Sequence, residues 1–135
     1  MAFVDGKFRW VDGSWGIKME YMPETLVSRT RASHSELGIT IETNEGVHNY
    51  LDVYLKKLII HNKEDSQRKT RLFFSHDFHI YGDDFGDTAM YDSALNSIIH
   101  YKRKRYFLID GVTGQGKDLS VCYWSQRDTR HGRHL

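Results

Sequence analysis

RLFFSHDFHIYGDDFGDTAMYDSALNSIIHYKRKRYFLIDG, residues 71–111, is the stretch that decides the fold. Its first part, residues 71–81, alternates in parity, and the more apolar parity carries Leu72, Phe74, His76, Phe78 and Ile80. A period of two over this length predicts a long β-strand.

The second part of this stretch predicts a loop and a hairpin. The acidic, glycine-containing segment 82–87 is typical of a loop. Residues 97–101 and 106–109 are rich in β-branched and aromatic side chains, which predicts two strands. The Lys-Arg-Lys-Arg segment at 102–105 lies between them and predicts a solvated hairpin turn.

Upstream, short apolar runs alternate with turn residues. Asp-Gly pairs at 5–6 and 12–13 separate the first runs, and glycine accepts the positive φ that a tight hairpin turn requires. The strands predicted here are Ala2–Val4, 7–11, 15–21, 25–33, 36–43 and 50–61, with a turn at 44–46. Leu37, Ile39 and Ile41 are predicted to face the interior. A helix stays open for 47–62, where the leucines also have helical spacing.

These segments together predict an all-β chain. About nine short strands separated by turns indicate an antiparallel β-sandwich. The sandwich is predicted to occupy residues 1–117. Residues 118–135 have neither the periodicity of a strand nor that of a helix, so they are predicted to form an irregular tail.

Composition excludes several classes of function. A chain that is 39% apolar and 13% aromatic can bury a core. Nineteen basic and 18 acidic residues leave a net charge of +1, which predicts neither a nucleic acid nor a membrane partner. One cysteine, Cys122, excludes an internal disulfide, and no apolar run approaches the roughly 20 residues of a membrane span. The expected location is the cytoplasm.

The densest group of polar side chains that could do chemistry is acidic and histidine-rich, and comprises His76, Asp77, His79, Asp83, Asp84 and Asp87. Two imidazoles and a carboxylate could bind a metal, so a metal or catalytic protein centred on His76, His79 and Asp83 is one hypothesis. Histidines three apart on a strand point to opposite faces, however, which favours a structural or interface role. The carboxylates could act as a glycosidase acid and base. Acidic residues in such loops more commonly bond their own backbone. We therefore predict no catalytic residue, no metal and no cofactor.

Aromatic residues near the start suggest a second kind of site. Trp10, Trp15 and Tyr21 could stack on the apolar faces of sugar rings. Core packing is the favoured interpretation, since large aromatic side chains commonly fill β-sandwiches.

Several motifs together resemble one known family. VDGKFRWVDGSW, MPETLVSRT, FFSHDFHIYGDDFGDTAMYD and IIHYKRKRYFLIDG are similar to the N-terminal β-domain of prokaryotic glucoamylase-like enzymes of glycoside hydrolase family 15. The resemblance covers residues 2–116 and is most specific at Asp-Thr-Ala, 87–89, and His-Tyr-Lys, 100–102.

The resemblance implies a role beside a catalytic domain. In that family an antiparallel supersandwich is joined to an (α/α)6 barrel, which hydrolyses α-glucosides with inversion by two glutamates. Neither glutamate maps onto this sequence, so we expect an inactive, non-catalytic β-domain fragment. Its partners would be the barrel and, through the parent enzyme, an α-glucan or trehalose. The acidic and histidine-rich group would then make interdomain or substrate-entrance contacts.

Departures from the family pattern give further expectations. Early family strands are not found before Met1, so we expect unpaired sheet edges and self-association. From Asp118 the sequence no longer follows the family pattern. Codons that encode residues 118–135 can be chosen so that reading them one nucleotide later gives the family pattern, and this predicts that the tail is an out-of-frame ending. The alternative function is a free-standing carbohydrate-binding module that uses Trp10, Trp15 and Tyr21.

Overall fold

The computed structural model describes residues 1–76, 78–83 and 85–114. Ten strands and one short 3-10 turn lie within these residues, every strand pairing is antiparallel, and no α-helix occurs among them. The prediction of an all-β, antiparallel chain is therefore confirmed. The chain divides into two compact units, Met1–Ser75 and a second that begins at His76. The predicted boundary at 117 and the tail 118–135 lie outside the described residues.

The first unit contains seven strands in two sheets. They are β1 (Ala2–Val4), β2 (Lys7–Arg9), β3 (Gly16–Tyr21), β4 (Ser28–His34), β5 (Ile39–Val47), β6 (Tyr54–Asn62) and β7 (Thr70–Leu72). The orders are β2-β1-β7 and β3-β4-β5-β6. Asp5 and Gly6 both have positive φ in the turn between β1 and β2, as the Asp-Gly pair predicts.

The core of the first unit lies on one face of the four-stranded sheet. Ala32 pairs with Ile41, and paired residues share a face, so both side chains lie on the same side as Ile39. These residues join β1, Trp15 and Leu37 in one buried apolar cluster. The predicted inward positions Leu37, Ile39 and Ile41 are confirmed as buried.

Three sequence predictions in the first unit need correction. The Asp-Gly pair at 12–13 does not form a tight hairpin turn, because Gly13 has no positive φ and the flanking strands β2 and β3 belong to different sheets. The predicted turn at 44–46 is wrong, because β5 continues to Val47 and Asn44 pairs with Arg29 on one side and Lys57 on the other. Ladders on both sides satisfy this backbone, and the chain turns after Val47 instead. The segment 47–62 contains a strand, β6, which starts four residues later than predicted and settles the helix alternative.

The second unit contains one sheet. Its strands are β8 (Thr88–Asp92), β9 (Ser97–Lys102) and β10 (Arg105–Ile109), in the order β10-β9-β8. The predicted hairpin is confirmed as β9 and β10, with Arg103 at positive φ in its turn. The sequence analysis did not predict β8.

The long strand predicted over residues 71–81 is wrong. The strand β7 ends at Leu72, and a 3-10 turn occupies Ile80–Gly82. Tyr81 and Gly82 have φ values of +66° and +73°, which no extended strand contains. The backbone N–H of Ile80 donates to the Asp87 carboxylate, so a side chain replaces the partner strand.

Candidate functional site

The loop before β8 folds against the inner face of the second sheet. Directly paired residues place His100, Phe107 and Ala89 on this face. The Phe78 ring lies 4.6 Å from the His100 ring and 5.0 Å from the Phe107 ring, measured between centroids. The loop therefore packs against the sheet through the ring of Phe78.

Asp87 is the centre of a polar cluster on this inner face. Its Oδ1 accepts a hydrogen bond of 3.3 Å from the Ile80 N–H, and its Oδ2 lies 3.3 Å from Nδ1 of His79. His100 approaches from the sheet, with its Nε2 3.6 Å from Oδ1. Both carboxylate oxygens thus have partners, which is what a buried carboxylate requires.

Lys102 completes the cluster from the end of β9. Asp87 and Lys102 are only 8% and 3% exposed. The Lys102 ammonium donates to the Asp83 carbonyl at 2.9 Å and to the Asp83 carboxylate, and lies 3.8 Å from Oδ2 of Asp87. The hydrogen bond from Lys102, followed by that from the Phe85 N–H, lowers the pKa of Asp83 below its ordinary value. We call His79, Asp83, Asp87, His100 and Lys102 the Asp87 cluster.

The geometry of the Asp87 cluster indicates a structural role, in which the cluster holds the acidic loop to β9. Asp83 and Asp87, the two described carboxylates of the acidic loop, approach the same ammonium. A glycosidase needs one protonated carboxyl group and one carboxylate on opposite sides of a sugar. Here both carboxylates approach one ammonium instead, and the hydrogen bond from Lys102 lowers the pKa of Asp83. Within the described residues, no group of three histidine, cysteine or acidic side chains is arranged to hold a metal ion.

The other face of the second sheet is largely apolar, and Met90, Tyr106 and Leu108 on it are exposed within the part of the chain that the structure describes. Besides Asp92 at the end of β8 and Ser97 at the start of β9, the strand registers place six residues on it, namely Thr88, Met90, Ile99, Tyr101, Tyr106 and Leu108. The Tyr101 and Tyr106 rings stack at 5.5 Å, with 19° between their planes. Tyr106 and Leu108 are 66% and 58% exposed. We call these six residues the tyrosine face.

The aromatic residues proposed for sugar stacking do not share one surface. Trp15 is buried in the first unit, where its Nε1 donates to the Trp10 carbonyl at 2.6 Å and its ring meets His34. Trp10 and Tyr21 are exposed. Trp15 precedes β3 and Tyr21 ends it, so about 20 Å of extended chain separates them.

The remaining predicted residues lie around the loop. His76 is exposed, and His79 and Asp83 are exposed members of the Asp87 cluster. Asp77 and Asp84 lie outside the described residues.

Two members of the Asp87 cluster, His100 and Lys102, were not predicted as site residues by the sequence analysis. The prediction that Lys102 lies in a solvated turn is wrong, because it ends β9 and is buried. The register between β8 and β9 would have indicated that Lys102 is close to Asp87, because the Thr88–Tyr101 pair places residue 102 opposite residue 87.

No helix among the described residues has the length and apolarity needed to cross a membrane. Compared with protein-family models, curated proteins and solved structures, the chain has no match in any of the three.

Proposed function

We propose that the chain is a non-catalytic β-domain of a glucoamylase-like enzyme of glycoside hydrolase family 15. Its sheets would form part of the supersandwich that the sequence resemblance implies. Its role would be to support the catalytic (α/α)6 barrel. The single observation that carries this proposal is the exposed tyrosine face.

The composition of the tyrosine face favours a protein partner. Its six residues are uncharged, with Asp92 at the end of the face, and the cores of protein interfaces are depleted in charge and enriched in tyrosine and methionine. Exposed contiguous apolar surface usually marks an interaction site. The strands that carry it belong to residues 71–111, which also carry the strongest family resemblance. A barrel domain is therefore the occupant that we propose.

The Asp87 cluster supports a non-catalytic role on the opposite face. By fixing the loop to β9, it keeps the three-stranded sheet in one conformation, and a rigid sheet loses less entropy on docking. Asp83 and Asp87, whose carboxylates could have acted as a glycosidase acid and base, would thus contribute to the interface only indirectly.

Binding to a barrel tests the proposal. A catalytic (α/α)6 domain from a prokaryotic family 15 enzyme, prepared without its β-domain, would be titrated with the full chain by calorimetry. We expect saturable binding that Leu108→Lys weakens by at least about tenfold, as for the loss of a central apolar contact. Leu26→Lys is the matched control, because Leu26 is 92% exposed in the first unit. Absence of binding, or equal loss in both variants, would contradict the proposal.

Assays of turnover test the other half of the proposal. The chain alone should release no glucose from maltose, maltooligosaccharides or trehalose. Turnover that disappears in Asp83→Asn or Asp87→Asn would overturn the non-catalytic assignment.

A carbohydrate-binding module is the second candidate, supported by the exposed ring of Trp10. Phe8 and Trp10 are both exposed and meet edge to face, with 6.0 Å between centroids. Exposed aromatic rings of this kind can stack on sugars. Titration with maltooligosaccharides should then show binding that Trp10→Ala removes, and no such binding would exclude this candidate.

A further inference from the structure

The strand β3 forms one edge of the four-stranded sheet. Among the described residues it pairs with β4 and with no other strand, so its second row of backbone groups has no strand partner there. Ile17, Met19 and Tyr21 share one face of β3 and are all exposed. Open edges of this kind add strands from other chains.

The charges on β3 have a self-complementary spacing. Lys18 and Glu20 flank Met19 symmetrically on the opposite face from the three apolar side chains. They lie 3.0 Å apart, and the Lys18 side chain remains 71% exposed, so its ammonium can also meet a second carboxylate.

Symmetry then restricts how two copies of β3 can pair. A two-fold axis perpendicular to the joined sheet leaves each copy's two faces on the same sides of that sheet. Directly opposed residues must have their side chains on the same face, so one residue of β3 must lie on the axis, opposite its own copy. With Lys18 or Glu20 on the axis, like charges would lie directly opposite, which is unfavourable. With Met19 on the axis, Lys18 opposes Glu20 of the second copy on both sides of the axis, and Ile17 opposes Tyr21.

We propose that two copies of this chain associate through β3, antiparallel, about a two-fold axis at Met19. The joined sheet would contain eight strands. Four salt-bridge partners would alternate in sign across the seam, and a continuous row of apolar side chains would cover the other face.

The other edge strands lack this complementarity. The strands β2, β6, β7 and β10 contain basic residues but no acidic ones, and β8 contains Asp92 but no basic residue. Lys56 and Lys57 are also consecutive on β6, one on each face, and edge lysines discourage pairing. Among the described edges, β3 is thus the one where self-pairing brings opposite charges together.

A charge-reversal pair tests the association. Sedimentation velocity of the full chain should show a monomer–dimer equilibrium, since a seam of six residues is smaller than a standard interface. Lys18→Glu places like charges opposite each other and should weaken the dimer at least about tenfold, as should Glu20→Lys. An equimolar mixture of the two variants should recover dimers, because each seam then pairs opposite charges. The exposed site Lys63→Glu is the control and should change nothing.

Disulfide trapping tests the register. In a Cys122→Ser background, Met19→Cys should form a disulfide-linked dimer on oxidation, because opposed Cα atoms lie about 4.5–5.5 Å apart. Ile17→Cys has the same face and strand, but its own copy would lie about 13 Å away along the seam. A chain that is monomeric at every concentration, a mixture that stays monomeric, or equal trapping at both positions would overturn the proposal.

Discussion

The interiors of the two units are built from different chemistry. The first unit buries an apolar cluster that includes Val4, Trp15, Leu37, Ile39 and Ile41. The buried residues of the second unit, within the part that the structure describes, are Ile80, Asp87, Ser97 and Lys102. Several large apolar side chains of the second unit, among them Tyr106 and Leu108, are instead exposed on the tyrosine face.

The difference predicts different responses to change. Apolar burial stabilises a fold by an amount roughly proportional to the buried area, about 25 cal/mol per Å², whatever the pH. A buried ionic cluster contributes little net stability, yet it is costly to break because the remaining charge stays buried. Truncation of a buried side chain should therefore be most costly in the first unit, and removal of one partner of a buried charge should be most costly in the second.

The largest effect should come from the apolar core of the first unit. Leu37→Ala removes a fully buried side chain and should lower the free energy of unfolding by about 4 kcal/mol. Hydrogen exchange of the β5 amides would measure it. Leu26→Ala, at an exposed position, should change the same quantity by less than about 0.5 kcal/mol. Similar losses in both variants would contradict an apolar core at Leu37.

Breaking the Asp87 cluster should come next. Asp87→Ala leaves the Lys102 ammonium and the Ile80 N–H without the Asp87 carboxylate, and should destabilise the second unit by about 3 kcal/mol. Exchange of the β9 amides reports the change. Asp110→Ala is the control at an exposed aspartate. Unchanged exchange of the β9 amides in Asp87→Ala would show that the cluster does not hold the acidic loop to β9.

A smaller effect is expected at Gly38. Its φ is +59°, and an added Cβ would lie 2.7 Å from Nη1 of Arg68, which itself donates to the Leu37 carbonyl. Gly38→Ala should therefore cost about 2 kcal/mol in a urea titration, from backbone strain and a displaced arginine. Gly13→Ala, where nothing lies within 4 Å and φ is not positive, should cost less. Equal costs would argue against strain at Gly38.

The smallest effect should be the pH dependence carried by Asp83. Its pKa is lowered in the folded state, so its contribution is present above the unfolded pKa and is lost as the pH falls through the folded value. The β9 amides should lose protection between about pH 5 and pH 3, after correction for intrinsic exchange. Asp83→Asn should flatten this part of the curve. An unchanged curve in that variant would remove Asp83 as its source.

The sequence predicts those parts of the fold that local chemistry determines. Asp5 and Gly6 form the turn after β1, and Arg103 and Lys104 join β9 to β10, because turn residues act within a few positions. Alternation also places Ile39 and Ile41 in the core.

The errors occur where distant partners override the local pattern. Asn44 looks like a turn residue, but strands on both sides extend β5 through it. Lys102 belongs to a basic segment typical of a solvated turn, and it is buried beside Asp83 and Asp87, which lie in the loop before β8. Residues 73–81 alternate like a strand, but the Asp87 carboxylate takes the backbone bond that pairing would need.

Hydrogen exchange of the full chain, alone and with the catalytic barrel present, tests the central claim most directly. The claim is that the tyrosine face docks a catalytic domain. We predict added protection in β8, β9 and β10, no added protection around Leu26, and loss of the effect in Leu108→Lys. Protection confined to the segment around Trp10, or none at all with the barrel in excess, would contradict it.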